Sequence, residues 1–305
     1  MVCRARSRIA ARALAWIAFL TLSGTLSGCI FYIDHLVPRH ANEGDRLVLR
    51  NPAATEPLPS QLRVRFADTS PQYVLSQTPN EIVVEVPPGV EGEVRVSVWL
   101  GLLLASNLTP FRVDTEPIIY RILAFGDSMV GPWVYHTDRL DAMLNENVGP
   151  SLVINEGKAG EFLSDGAERL DHVLSIHSGV EHIYILEGAN DVSDDTNTPI
   201  NEMLASLEQM MDQASTHSLY PILVTVPPRT RRALSYDQTW PTTEDWNDAL
   251  RNYAFVNGVY WVDLHQAFVT QPGWESFLDE AGLHLTPEGQ DFVAEVMYSA
   301  VAPLL

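Results

Sequence analysis

The chain has 305 residues, 46% of them hydrophobic, with 19 Lys+Arg against 39 Asp+Glu and two cysteines, Cys3 and Cys29. A formal charge of −20 repels phosphate backbones, which are bound through basic footprints that release counterions, so no nucleic-acid partner is expected. Two cysteines supply neither a disulfide framework nor the common four-ligand thiolate zinc site, which leaves an acidic globular protein of open chemistry.

In chain order, Arg4, Arg6, Arg8 and Arg12 precede an uncharged apolar run from Ala13 to Leu26. That run is shorter than the ~20 residues a helix needs to cross the hydrocarbon core, so residues 1–28 read as a secretory signal peptide rather than a permanent span. It ends in Leu26-Ser27-Gly28-Cys29, which resembles the bacterial lipoprotein signal. The resemblance implies that Cys29 carries a diacylglycerol and becomes the new N-terminus, a membrane partner held through lipid, since two acyl chains suffice for stable anchoring. Loss of residues 1–28 removes four arginines and no acid, taking the charge from −20 to −24. Residues 29–35 are expected to be a tether. Ile30 stands where some bacteria place an inner-membrane retention aspartate, so an extracytoplasmic, outer-membrane location is expected ahead of an inner-membrane one.

Residues 36–115 alternate apolar and polar positions at Leu47/Leu49, Val64/Phe66, Ile82/Val84/Val86 and Val94/Val96/Val98, the period of half-buried strands. Turn signals at Asn51-Pro52, Ser70-Pro71, Pro79-Asn80 and Pro87-Pro88-Gly89 separate them. About seven short strands in roughly 80 residues predict an all-β sandwich. The order of Gly44-Asp45 before a strand, the Val-Pro-Pro-Gly turn, the Gly-x-Val-x-Val-x-Val strand and a closing Phe111-Arg112-Val113 resembles the immunoglobulin-like IPT/TIG domains, with Asn51 where a glycine is usual. This domain reads as a spacer in preference to a carbohydrate- or protein-binding module.

From residue 116 the texture changes to apolar strands alternating with helix-length amphipathic segments. Strands are expected at 118–124, 152–155, 182–186, 221–226 and 259–262, and helices at 138–147, 167–176, 200–215, 244–254 and 288–300. Thr198-Pro199 and Thr286-Pro287 have the form of an N-cap followed by an N1 proline, and Thr242 with Asp245 has capping-box spacing. Alternating β and α elements predict a parallel sheet covered by helices on both faces, a three-layer αβα flavodoxin-like fold. In such a sheet the ligand site lies beyond the C-terminal strand ends.

At those ends stand Gly126-Asp127-Ser128, Asn155-Glu156-Gly157-Lys158-Ala159-Gly160, Gly188-Ala189-Asn190-Asp191 and, before the last helix, Gly282-Leu283-His284. A serine hydroxyl needs a base within hydrogen-bond reach, and a histidine on a late loop meets that need. Ser128, just past a strand, would present its hydroxyl at the sheet's edge, near a helix N-terminus. The four segments, in this order, resemble the sequence blocks of the SGNH (GDSL) hydrolases. The resemblance implies Ser128 as nucleophile, His284 as base, and the Ser128 and Gly160 amides with the Asn190 side chain as oxyanion donors; Gly157 competes with Gly160 for that role. It implies no metal and no cofactor.

The family's last block usually reads Asp-x-x-His, but Ala281 occupies the aspartate position. Glu280 is the preferred replacement, Asp279 the second choice, and a Ser-His dyad the alternative. His172, His177 and His182 read as surface or packing residues, and Asp191, Asp194 and Asp195 as a solvated loop rather than a metal site. Trp133 and Tyr135 flank the serine as candidate pocket residues. The expected function is a cell-envelope serine esterase acting on a small-molecule or polysaccharide ester, possible substrates including O-acetyl groups and lipid or lysophospholipid esters. The alternative is a non-catalytic surface lipoprotein that binds carbohydrate or another ligand through a degenerate hydrolase domain.

Overall fold

The computed structural model describes residues 30–131, 135–192, 198–230 and 242–305. The leader, Cys3, Cys29, Trp133, Asp194 and Asp195 lie outside the described residues. Those described form two compact units meeting in sequence between Pro117 and Ile118.

The first unit is built of β1 (His35–Val37), β2 (His40–Ala41), β3 (Arg46–Arg50), β4 (Leu62–Phe66), β5 (Gln72–Tyr73), β6 (Ser76–Gln77), β7 (Glu81–Glu85), β8 (Gly92–Leu100), β9 (Leu103–Leu104) and β10 (Thr109–Val113). One sheet runs β1-β3-β7-β6 and the other β2-β10-β8-β4-β5, with β9 paired to β8; all pairs are antiparallel except β2 with β10. The alternating apolar sets become a single core, Leu47, Leu49, Val64, Phe66, Ile82, Val84, Val96 and Val98 being fully buried and Val94 partly so. Two half-buried sheets exclude water only by facing each other, which is why period 2 in the sequence ends as a sandwich.

The second unit runs β11 (Tyr120–Gly126), α1 (His136–Asn147), β12 (Ser151–Gly157), α2 (Leu163–Ile176), β13 (His182–Leu186), α3 (Ile200–Thr216), β14 (Tyr220–Val224), α4 (Thr243–Asn257), β15 (Tyr260–Val262), α5 (Leu264–Val269), a 3₁₀ turn (Trp274–Phe277) and α6 (Pro287–Val301). Its five strands lie parallel in the order β12-β11-β13-β14-β15. The direction of winding reverses at β11, so a crevice opens between the C-terminal ends of β11 and β13. Helix α1 packs with α6, and α2 with α3 and α3 with α4, as right-handed crossovers on opposite faces require. No helix among the described residues is long and apolar enough to cross a membrane.

Two of the expected helix starts form as read. Thr242 and Asp245 make a capping box, and Thr286 caps α6 ahead of Pro287. Thr198 does not cap α3: Pro199 takes the N-cap position, its carbonyl accepting from Glu202 and Met203. The Thr198 hydroxyl bonds Asp191 instead, so the loop after β13 claims the side chain that local sequence assigned to the helix. Neither α5 nor the 3₁₀ turn was expected, both being too short for a periodic signal.

Candidate active site

Ser128 follows β11, Gly160 follows β12 and Asn190 follows β13, so all three stand beyond C-terminal strand ends. Ser128 lies in a turn in which the Val130 N–H bonds the Asp127 carbonyl, and α1 begins only at His136; the helix N-terminus expected near the serine is absent among the described residues. Gly126 is obligatory before it, because a Cβ there would sit 2.0 Å from the Leu186 carbonyl oxygen of the neighbouring strand. The His284 Nε2 lies 3.2 Å from Ser128 Oγ, within reach to accept its proton.

His284 is held by a short antiparallel turn. Leu278 bridges Leu285, and the Asp279 N–H bonds the His284 carbonyl at 2.7 Å, so residues 279 and 284 stand directly opposite one another. Opposed residues on an antiparallel pair share a face, and the next residue along points to the other. Asp279 Oδ2 therefore lies 3.6 Å from His284 Nδ1, while its Oδ1 accepts from the Leu283 and His284 amides. Burial alone would raise the Asp279 carboxyl, but those two amides and the imidazole hold it below the usual carboxylate range. The preference for Glu280 is thus corrected: the carboxylate brought to the ring belongs to Asp279, and Glu280 is the exposed next residue of the turn.

The three loops are laced together behind the serine. The Lys158 N–H bonds the Gly126 carbonyl at 2.8 Å. Asp127 bridges outward, Oδ1 accepting from Met129 N–H at 2.9 Å and Oδ2 from Ala189 N–H at 3.0 Å. Complete burial pushes the Asp127 carboxyl up to about 6 against the pull of those amides and Arg229. The Asn190 Nδ2 donates to the Glu161 carbonyl at 2.8 Å, tying the loop after β13 to the one bearing Gly160. Asp191 Oδ2 accepts from Leu163 N–H at 3.0 Å, supplying α2 with the cap that its own N-cap Phe162 lacks. Asp191 is therefore a structural carboxylate and not part of a solvated loop.

The two competing glycines separate clearly. Gly157 donates its N–H to Asn155 Oδ1 at 3.0 Å, and a Cβ on it would sit 2.3 Å from the Val130 backbone. Its role is close packing under the Ser128 turn. Gly160 has φ +77° with open space beside it, a left-handed backbone that favours glycine.

Sequence reasoning missed the buried layer beneath these loops. Arg169 of α2 reaches Glu161 through Nε at 2.8 Å and the Glu156 carbonyl through Nη2 at 3.0 Å, with its guanidinium carbon 4.2 Å over the Phe125 ring. His177, expected to be a surface or packing residue, instead makes a buried polar contact to Glu156 at 2.6 Å. Beside them Glu187 is buried with neither carboxyl oxygen hydrogen-bonded, against Gly166, whose missing Cβ leaves it room. Burial first, then the nearby Glu161 and Asp127 carboxylates, raise it well above the usual carboxylate range, which favours the protonated form. Trp246 of α4 is fully buried and donates to the Glu187 carbonyl at 3.1 Å, fixing the strand end just before Asn190. Nothing in one sequence joins position 246 to 187. Tyr135 is tied to α6 through its N–H to Gln290 Oε1 and its hydroxyl to the Pro287 carbonyl. Among the described residues no group of three His, Cys, Asp or Glu side chains is arranged to hold a metal ion.

The profile of the GDSL-like lipase/acylhydrolase family matches residues 124–292, and that of the IPT/TIG domain residues 57–113. No curated protein matches the chain. Among solved structures, a lipase/acylhydrolase from Enterococcus faecalis is 23% identical and aligns over 61% of this chain and 97% of its own at a TM-score of 0.55. A carbohydrate acetylesterase from Sinorhizobium meliloti is 17% identical over 61% of this chain and 100% of its own, TM-score 0.52. A catalytic mutant of an acetylxylan esterase from Geobacillus stearothermophilus is 17% identical over 61% and 96%, TM-score 0.51. At these identities the likeness is one of fold.

Proposed function

The chain belongs to the GDSL-like lipase/acylhydrolase family and is an ester-hydrolysing enzyme, and we propose that it works through an acyl-enzyme on Ser128 with His284 as general base. The observation that carries this reading is the 3.2 Å approach of His284 Nε2 to Ser128 Oγ, with the Asp279 carboxylate on the ring's far side. Asp279 favours the tautomer with its proton on Nδ1, leaving Nε2 free to accept. Ser128 Oγ attacks the ester carbonyl carbon as its proton passes to Nε2. The oxyanion that forms is met by the Ser128 and Gly160 N–H groups and by the Asn190 side-chain amide. The intermediate collapses, the alcohol leaves with the proton from Nε2, and a water deprotonated by the same nitrogen attacks the acyl-serine to release the acid and restore the hydroxyl. These steps use only side chains and backbone of this chain.

The substrate we propose is an O-acetyl ester on carbohydrate. Two solved proteins of the same fold carry acetylesterase names, one on carbohydrate and one on xylan, and a cell-envelope site would give access to polysaccharide. The placement we propose is extracytoplasmic, anchored by lipid on Cys29, as the arginines, the apolar run and Leu26-Ser27-Gly28-Cys29 suggest. The IPT/TIG domain serves as spacer.

The test uses p-nitrophenyl acetate, butyrate and octanoate with the parent chain and Ser128→Ala. Acetate is expected to be turned over fastest, and the variant to lose about 10³-fold or more in kcat. Serine-independent turnover, or none on any ester, would remove the mechanism and restore the ligand-binding alternative; preference for octanoate would move the substrate class to lipid.

A further inference from the structure

We propose that the β8–β9 hairpin of the first unit is a second membrane contact, inserting Leu102, Leu103 and Leu104 into a lipid surface beside the acylated N-terminus. The proposal rests on the reading of Cys29 as the lipid attachment point.

The hairpin turns through two residues, Gly101 and Leu102, with Leu100 opposite Leu103 and Trp99 opposite Leu104. Gly101 is at φ +60° and Leu102 is not at positive φ, the pattern of a type II′ turn, which makes a tight and rigid tip. At that tip Leu102, Leu103 and Leu104 are 89%, 56% and 41% exposed. Single exposed leucines are ordinary, but three in a row on a turn that needs polar residues for solubility are not. From Val96 to Phe111 there are sixteen consecutive residues without a charge, in a chain where acids outnumber bases twofold. The acids of this strand region, Glu91 and Glu93, sit at the opposite end of β8.

The second observation is where the chain comes from. Ile30 and Phe31 both donate their N–H to the Ala105 carbonyl, at 2.8 and 3.0 Å, and Ala105 directly follows β9. Cys29 is one peptide bond from Ile30, about 3.8 Å between Cα atoms. A diacylglycerol attached there would start one residue from the backbone that pairs with Ala105, next to Leu104 of the hairpin, so the membrane that receives the acyl chains would meet the leucines as well.

The flanking side chains suit an interface. On the outward face of the same sheet Arg63 lies 4.2 Å from the centre of the Tyr73 ring and Arg65 4.4 Å from that of Trp99. Aromatic rings and arginines at headgroup level, with apolar side chains beyond them, are the usual order of groups at a membrane surface. The acidic remainder of the protein is repelled by anionic lipid, so the hairpin would also decide which end faces the bilayer.

The test separates the hairpin from the acyl anchor by using residues 30–305, which contain every core residue of both units and lack Cys29. Sedimentation with phosphatidylcholine vesicles is expected to show binding that persists or rises with added salt. Leu102→Asp with Leu103→Asp is expected to lower the partition coefficient by about tenfold or more, since each buried leucine is worth at least that. Both side chains are exposed, so unchanged circular dichroism and unchanged turnover of p-nitrophenyl acetate would show that the variant is folded. No binding by the parent, equal binding by the variant, or light scattering showing that the leucines instead pair two copies would each overturn the proposal. Acylation is read independently, from the mass of the full chain extracted from membranes; its failure alone would remove the anchor and leave the vesicle result standing.

Discussion

Replacing Asp279 by Asn removes the charge beside His284 while leaving an oxygen for the Leu283 and His284 amides, so the turn that carries the histidine is kept. The magnitude follows from the 3.6 Å separation and the exposure of the pair, whose side chains are 50% and 39% accessible. Coulomb's law at that distance gives about 1 kcal/mol at the dielectric of water and about 4–5 kcal/mol at an effective value of 20. Half-exposed groups lie toward the first limit, because solvent screens them, so about 1–2 kcal/mol of imidazolium stabilisation is at stake. Asp279→Asn should therefore lower kcat on p-nitrophenyl acetate roughly five- to thirtyfold, far short of the ~10⁴ lost where a triad aspartate is buried and tightly bonded. Glu280→Gln, measured alongside, should stay within about twofold, as a surface change does. If Asp279→Asn also stayed within twofold, the site would be a Ser-His dyad; if Glu280→Gln fell as far as Asp279→Asn, the opposed-residue geometry would be wrong.

Asn190→Ala should reduce kcat by about 10²–10³ with KM little changed, as loss of one oxyanion donor does; a change confined to KM would assign Asn190 to substrate binding. Glu187→Gln should stabilise the protein increasingly as pH rises. The folded-state pKa of Glu187 is raised, so from its ordinary value upward the unfolded chain ionises while the folded one holds the proton, and stability drains away with pH. Glutamine carries no such penalty, so the melting-temperature difference between variant and parent should be small near pH 4.5 and larger at pH 8. A difference independent of pH would show that Glu187 is ionised in the fold.

The order of the second unit was legible because its strands and helices repeat with different periods, and the ends of His182–Leu186 came out residue for residue. The capping box at Thr242 was legible because both partners lie within one turn. Thr198 was misread because its competitor for the hydroxyl, Asp191, stands well upstream in the same connection, outside the one-turn spacing that a capping pattern inspects. Asp279 and Glu280 were ranked by closeness to a familiar spacing, whereas the Leu278–Leu285 bridge sets which of them faces the imidazole.

Local chemistry thus carried the architecture: period 2 marked the sandwich, and alternating periods put Ser128, Gly160, Asn190 and His284 at the ends of elements. Such signals are short-range, and a single chain records them directly. The tertiary structure decided which carboxylate meets His284, that Gly157 packs while Gly160 keeps an open backbone, and that a buried Glu187 lies beside the ionic pair of Arg169 and Glu161 beneath the loops that follow β12 and β13. It also brought Ala105, which directly follows β9, to Ile30. Each of these depends on groups many residues apart competing for one hydrogen bond, one face or one small volume, and only the folded chain brings the competitors together.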